Sequence, residues 1–463
     1  GDSGDTAILA SAVVHRASYL VALHEDDRLN IETLVAADKL CIRRSGKKPP
    51  LEAYAQISDT QFKLSLQRLT DGNGRFAGSR IHVHLFNYYE LIARLLARRF
   101  PIPSTLADVC PPVEHVFLVG FAAFGQCAAL RLMLSAQQLY RERGSNGTEW
   151  RVAKPKITVV DPCAEARIAE FERYHPEFRQ YCDVDFCTLS TTDLSFCDQI
   201  FYAEGIHEER RTLVFCIETE SETMRVLGLL AHMASDSKRK SSTINRVFCR
   251  IARPERLGGV LDQITPMDGT PDVVYFASDA EVFGVGVLLN QRLDFLARKI
   301  HEAWQSVEAA DRRANNQPTA VGKTWELLSE ENRESNREAA DHLWAKLRAL
   351  GYELSEVPEG TVAPPPSGDL VHELRVREEE LARAEHARWM TWRILKGWRW
   401  GAVRDNEKKL HPDICDYDQL SNATKEKDRI NIRVIPELLE RGRLVATRVT
   451  TNDGAALVDA SET

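Results

Sequence analysis

Between Gly120 and Gly125 the chain reads Gly-Phe-Ala-Ala-Phe-Gly, a G-x-G-x-x-G spacing with Ala122 at the middle position. Small residues there let a backbone turn approach a pyrophosphate at a helix N-terminus, where free N–H groups and the helix dipole favour an anion. Ala122 makes that approach tighter without closing it. The apolar run EHVFLVG leads into the turn, and FAAFGQCAALRLML continues from it with helical character. After a polar insertion, RERGSNGTEWRVAKP, the run KITVVD ends at Asp161, where a carboxylate is placed to hold ribose hydroxyls. A glycine loop alone is weak evidence, but the strand before it, the helix after it and the acidic strand end all agree. The same glycines would also serve close helix–sheet packing in a site without ligand, and both readings stand at this point.

A second set of residues lies near the C-terminus. Trp389, Trp392, Trp398 and Trp400 offer flat ring faces, and Arg399, Arg404 and Arg429 offer guanidinium forks that match phosphate. His411 and Asp428 have the chemistry to read a base or ribose edge. Aromatic faces beside arginine suit an adenine-type nucleotide, whereas NAD(H) would be the ligand of the loop Gly120–Gly125. Trp389 and Trp392 are three apart on one helical face, the spacing of core residues. Trp398, Trp400 and Arg404 sit beside a glycine turn and are the stronger ligand candidates.

No catalytic constellation accompanies these sets. The chain lacks G-x-S-x-G, a P-loop lysine motif and H-E-x-x-H. His82 and His84 alternate along a strand-like run, as satisfied core or surface histidines do. Its ten cysteines form no CxxC pair and show no zinc spacing, so no metal is expected and the thiols read as buried and reduced. A redox pair of Cys182 and Cys187 is the less favoured alternative. A net charge of -8 spread along the chain argues against a general nucleic-acid binder. No run of eighteen apolar residues and no secretory leader are read in the sequence, and a cytoplasmic location is the expectation.

These candidate sites must be held by the elements around them, and the chain repeats itself. TLVFCIETE, VFCRIAR and VVYFASDAEVFGVGVLLNQR follow one another as YLVALHEDD, AYAQISD and IHVHLFNYYELIARLLARR do, at a nearly constant offset of roughly 193 residues. Each unit alternates short apolar strands with amphipathic helices, which implies parallel strands joined by right-handed crossovers. The expected fold class is therefore α/β, with tandem Rossmann-like parallel-sheet domains of which the first lacks its glycine loop. After Arg292 the pattern turns helical, and GTVAPPPSGD is a Pro/Gly-rich break between helical stretches. WELLSEENRESNREAADHLWAKL and YDQLSNATKEKDRINIRVIPEL share a grammar: an aromatic, a Leu-Ser pair, then a charged helix with the serine as N-cap.

Residues 1–300 resemble the RCK or TrkA-N domain, the ligand-binding domain of potassium channels and transporters. The likeness rests on the opening Gly-Asp lead and on HEDDRLNIETLVAADKL. It implies that the chain starts inside its first domain and that paired domains assemble as dimers or rings; in the family, the part N-terminal to such a start often includes a membrane pore. The stretch from Ala384 to Arg429 resembles the RyR repeat domain of ryanodine receptors and bacterial proteins. It carries Glu385-His386-x-Arg388-Trp389, Gly397-Trp398-x-Trp400-Gly401, Lys409-Leu410-His411-Pro412 and Tyr417-x-x-Leu420, then Lys425 to Arg429. Trp400 departs from the usual aromatic at its place but keeps a ring there. Together with the residue chemistry, this resemblance makes Trp398, Arg399, Trp400, Arg404, His411, Tyr417, Asp428 and Arg429 the candidate ligand set.

The expected organisation is a partial first domain (1–108), a second Rossmann domain (109–292), a helical connector (293–322), a mainly α-helical RyR-like domain (323–449) and a tail (450–463). Three functional readings follow in order. The first is a non-enzymatic, oligomeric, nucleotide-sensing regulator of a potassium channel or transporter, attached to the inner membrane through an upstream segment. The second is a sensor of a nucleotide second messenger in antiviral defence, and the third is an NAD-dependent oxidoreductase.

Overall fold

The computed structural model describes residues 6–449 apart from gaps, the longest at 67–75, 101–112, 201–208, 235–243, 261–271 and 315–322. The opening Gly-Asp and the expected tail at 450–463 lie outside the described residues. The first unit holds three parallel strands in the order β1 (Tyr19–Ala22), β2 (Leu51–Gln56), β3 (Ile81–Phe86). The second unit begins with β4 (Val113–Val119) and the glycine loop. An antiparallel hairpin of β5 (Gln138–Gly144) and β6 (Gly147–Ala153) follows, then β7 (Lys156–Val160), β8 (Asp183–Cys187), β9 (Glu209–Phe215), β10 (Arg246–Arg250) and β11 (Asp272–Phe276). Its six-stranded sheet is parallel throughout, in the order β11-β10-β9-β4-β7-β8. That is the doubly wound order, with its reversal point between β4 and β9.

The internal repeat has a direct structural meaning. β1, β2 and β3 stand side by side in the order of β9, β10 and β11, their counterparts at the constant offset. The first sheet thus contains only the outer half of a doubly wound unit among the described residues, and β1 pairs with β2 alone. The helix after β3, Tyr88–Arg99, starts from Asn87, whose side chain accepts the N–H groups of Tyr89 and Glu90. It buries Ile92, Ala93 and Leu96 against Ala128, Ala129, Leu132 and Met133 of the helix Ala123–Ser135, in one core shared by both units. Each large aliphatic side chain so buried contributes roughly 1.5–3 kcal/mol.

The C-terminal module is mainly helical. The helix Phe295–Ala314, expected as a connector, buries Leu296, Ala297 and Ile300 in the module's own core beside Leu343, Leu347, Leu381 and Leu439. The shared grammar of the two Leu-Ser segments appears as one structure built twice. A 3-10 turn (Trp325–Leu327, Tyr417–Gln419) precedes a serine N-cap (Ser329, Ser421) and a helix (Glu330–Ala349, Asn422–Arg433). Between them lie helices Gly368–Val376 and Glu378–Leu395, and after them the helix Ile435–Gly442. β12 (Tyr352–Glu356) pairs antiparallel with β15 (Leu444–Arg448), and β13 (Arg399–Trp400) pairs with β14 (Leu410–His411). No described helix is long and apolar enough to cross a membrane.

Candidate functional site

At the glycine loop the sequence chemistry meets a closed geometry. Gly120 has φ +93, and a Cβ there would lie 2.8 Å from the Cys216 carbonyl oxygen, across the reversal point of the sheet. A Cβ at Gly125 would lie 2.4 Å from the Gly120 carbonyl oxygen. Both glycines are therefore demanded by backbone packing alone. Ala122 is part-exposed at the start of the turn, and Phe121 is buried against Phe171. Asp161 stands beside the loop, as its place at the end of β7 implies, but both its oxygens are engaged. Oδ2 accepts the Phe121 N–H at 2.9 Å; Oδ1 accepts the Cys163 N–H at 2.8 Å and faces Arg167 Nε at 3.2 Å. A pyrophosphate or ribose at this loop would have to displace these contacts.

The C-terminal candidates are arranged differently. The helix Glu378–Leu395 ends in a Schellman motif: the Gly397 N–H donates to Ile394 O and the Trp398 N–H to Arg393 O, with Gly397 at φ +82. This turn folds Trp398 back over the helix it leaves. The Arg393 guanidinium lies 4.7 Å from the Trp398 ring centre, 5.7 Å from Trp389 and 5.0 Å from Trp392. The short pairing of β13 with β14 then brings His411 to the same place, 6.0 Å from Trp398 and 5.1 Å from Trp389. Trp389 also stacks on His386 at 5.6 Å, and His386 lies 5.8 Å from Tyr417. Five rings form one continuous row: Trp398, His411, Trp389, His386, Tyr417.

Cations surround the middle of this row. Burial together with Arg404, Arg393 and Lys427, and against the pull of Asp413, takes the His411 pKa down to about 4, so its imidazole is neutral at pH 7. Nδ1 accepts the Asp413 N–H at 3.1 Å, which places the ring proton on Nε2. Among the described residues that Nε2–H has no acceptor. Burial opposes the His386 imidazolium, but Asp428 at 3.3 Å and the Cys415 carbonyl hold its pKa above the ordinary histidine value.

The remaining candidates divide. Trp398, His411 and Tyr417 are buried members of the row; Trp400 (61% exposed), Arg399 and Arg404 lie on the surface beside it. Arg429 is paired with Glu379 at 2.8 Å and Glu426, and Asp428 faces His386. Helical spacing alone made Trp389 and Trp392 equivalent, yet Trp392 is buried while Trp389 is half-buried, with the Arg393 guanidinium over its ring. Arg393, His386 and Glu331 were not legible as site residues, because their partners come from remote segments. The Glu331 carboxylate Oε1 accepts both the Trp398 Nε1–H at 2.6 Å and an Arg393 N–H at 2.8 Å.

The polar insertion of the second unit reaches this module. Trp150 of β6 lies under Arg141 (4.8 Å) and Arg383 (5.3 Å), and Arg383 continues onto Tyr417 at 4.8 Å while pairing with Asp418. Arg141 also pairs with Glu380. Among the described residues no group of three or more His, Cys, Asp or Glu side chains is placed to hold a metal ion. Cys182 precedes the strand β8 and Cys187 ends it, about 17 Å apart at five extended residues, too far for a disulfide.

A solved structure described as "GsuK Channel" aligns with 64% of this chain at 14% sequence identity and a TM-score of 0.39. The alignment spans 56% of that channel chain, little more than half its length. Residues 367–440, which hold the whole row from His386 to Tyr417, match the family model described as the RyR domain.

Proposed function

We propose that this chain is a nucleotide-sensing regulatory protein whose RyR domain takes a phosphorylated adenine-type ligand at the centre of the aromatic row. One observation carries the reading: Trp389 and His411 present ring surface among Arg393, Arg404 and Lys427, with a neutral His411 Nε2–H free to donate. A purine stacks on such a face, a phosphate pairs with such cations, and the imidazole N–H suits a ring nitrogen or ribose oxygen. The glycine loop is the less favoured place, because Asp161 already holds the Phe121 N–H.

In this reading the α/β body is the partner that receives the signal, and the regulated protein is an ion channel or transporter. Assembly with another chain is supported by β1, which has no second neighbouring strand among the described residues and whose Tyr19 and Val21 are exposed on one face. Tryptophan fluorescence of the full chain titrated with ATP, ADP, AMP, NAD, NADH, ADP-ribose and cyclic nucleotides tests the site. Saturable quenching by at least one of them, lost in Trp389→Ala, is expected. Quenching that survives Trp389→Ala, or none at all, would contradict the proposal.

A further inference from the structure

Trp398 of the aromatic row and Arg393 beside it both donate to one oxygen that belongs to the protein. The Trp398 indole N–H and an Arg393 N–H converge on Glu331 Oε1 at 2.6 and 2.8 Å. Two donors on one carboxylate oxygen reproduce the way an indole and a guanidinium grip a phosphate oxygen. The burial of the three partners is unequal. The Glu331 side chain is 39% exposed, whereas Arg393 is 7% exposed and Trp398 is buried. The carboxylate is thus the solvent-facing member, and its departure would open the donors to an incoming anion. Arg393 also keeps a buried Nε–H without a partner among the described residues.

We infer that Glu331 is a resident competitor: its carboxylate occupies the anion slot of Trp398 and Arg393, and a phosphate-bearing ligand binds by displacing it. This rests on the proposed nucleotide site and specifies how that site is regulated. Glu331 lies in the first turn of the helix Glu330–Ala349, so displacement acts on the end of a long rigid element. Farther along the same helix Glu338 and Asp341 pair with Arg131, Arg94 and Arg98 of the α/β body. Asp341 lies ten residues beyond Glu331, about 15 Å along the axis at helical rise. The competitor therefore links occupancy of the slot to the interface between modules, as coupling between two sites requires.

The test is isothermal titration of the full chain with ATP and, separately, inorganic pyrophosphate, comparing the native protein with Glu331→Gln. The inference predicts at least tenfold tighter binding of both probes by Glu331→Gln, a gain that shrinks with added salt. Adding Trp398→Phe, which keeps a ring but removes the N–H, should abolish most of that gain. Glu331→Asp, which draws the carboxylate back by one methylene, gives an intermediate gain and serves if Glu331→Gln fails to fold. Binding of ATP by the native chain with no gain in the folded variants would overturn the competitor and leave the nucleotide site standing. No binding of either probe to any variant would overturn both.

Discussion

Gly120 shows how much one residue type can settle. Its positive φ costs an L-residue about 1–2 kcal/mol, and the Cys216 carbonyl leaves no room for a methyl group. Gly120→Ala should therefore destabilise the chain by about 2 kcal/mol or more in urea unfolding, with or without nucleotide; a loss under 0.5 kcal/mol, on the order of an ordinary surface change, would contradict the packing account. Three histidines set the pH response. Burial takes His175, His342 and His411 down to about 4 from the ordinary 6.5, although Glu385 pulls His342 and Asp413 pulls His411 the other way. Each stays neutral in the folded chain while the unfolded chain takes up a proton. Their stabilisation is complete above pH 6.5 and is lost as pH falls towards 4. His386, Glu338 and Asp428, whose pKa values are raised, work in the opposite direction, by smaller shifts than the three falls to about 4. Urea unfolding should show lower stability at pH 5 than at pH 7; equal or higher stability at pH 5 would sink this assignment.

At the scale of elements, the helix Glu330–Ala349 does most to join the modules. It crosses the Tyr88–Arg99 helix with its charged residues buried: Asp341 meets Arg94 at 2.6 Å and Arg98 at 2.8 Å, and Arg337 meets Asp294 at 2.7 Å. Burial opposes the Asp294 carboxylate, yet Arg337 and Arg94 bring its pKa down to about 2. Removing one partner strands the others, so Asp341→Asn should cost about 3–5 kcal/mol. Glu437→Gln breaks only the exposed i,i+4 pair with Arg441 and should cost about 0.5 kcal/mol or less. Comparable losses in the two variants, measured by urea unfolding, would refute the buried-lattice account.

Elements were also what the sequence showed best. A constant offset between strand-like runs is enough to imply equal strand order in two sheets, because each crossover is local and right-handed. Leu328-Ser329 and Leu420-Ser421 announced their helices through the N-cap chemistry of serine alone. The candidate site was less legible. Trp389 and Trp392 have the same helical spacing, and only tertiary packing exposes one of them. The insertion around Trp150 reads as polar and loop-like, since nothing local tells that its ring will lie between two arginines. Asp161 fell where an acidic strand end belongs, but spacing cannot show which N–H groups its oxygens hold.

For the whole molecule, the α/β body and the C-terminal helical module meet among the described residues through packing of Ala345, Trp392 and Leu395 on the α/β core, and through several polar connections. These include the lattice around Asp341, the hairpin carrying Trp150, the Gln137–Thr391 pair, and Arg348, which donates to the carbonyls of Phe100 and Arg98. Such a junction lets ligand occupancy on one side alter the free energy of the other. On the proposed reading the ligand is held by the aromatic row and not by the glycine loop. The most direct test is calorimetric titration of the full chain with the nucleotide that quenches its fluorescence, in native, Trp389→Ala and Asp161→Asn forms. The account predicts at least a tenfold loss of affinity in Trp389→Ala and native affinity in Asp161→Asn. Native affinity in Trp389→Ala with loss in Asp161→Asn would move the site to the glycine loop and contradict it.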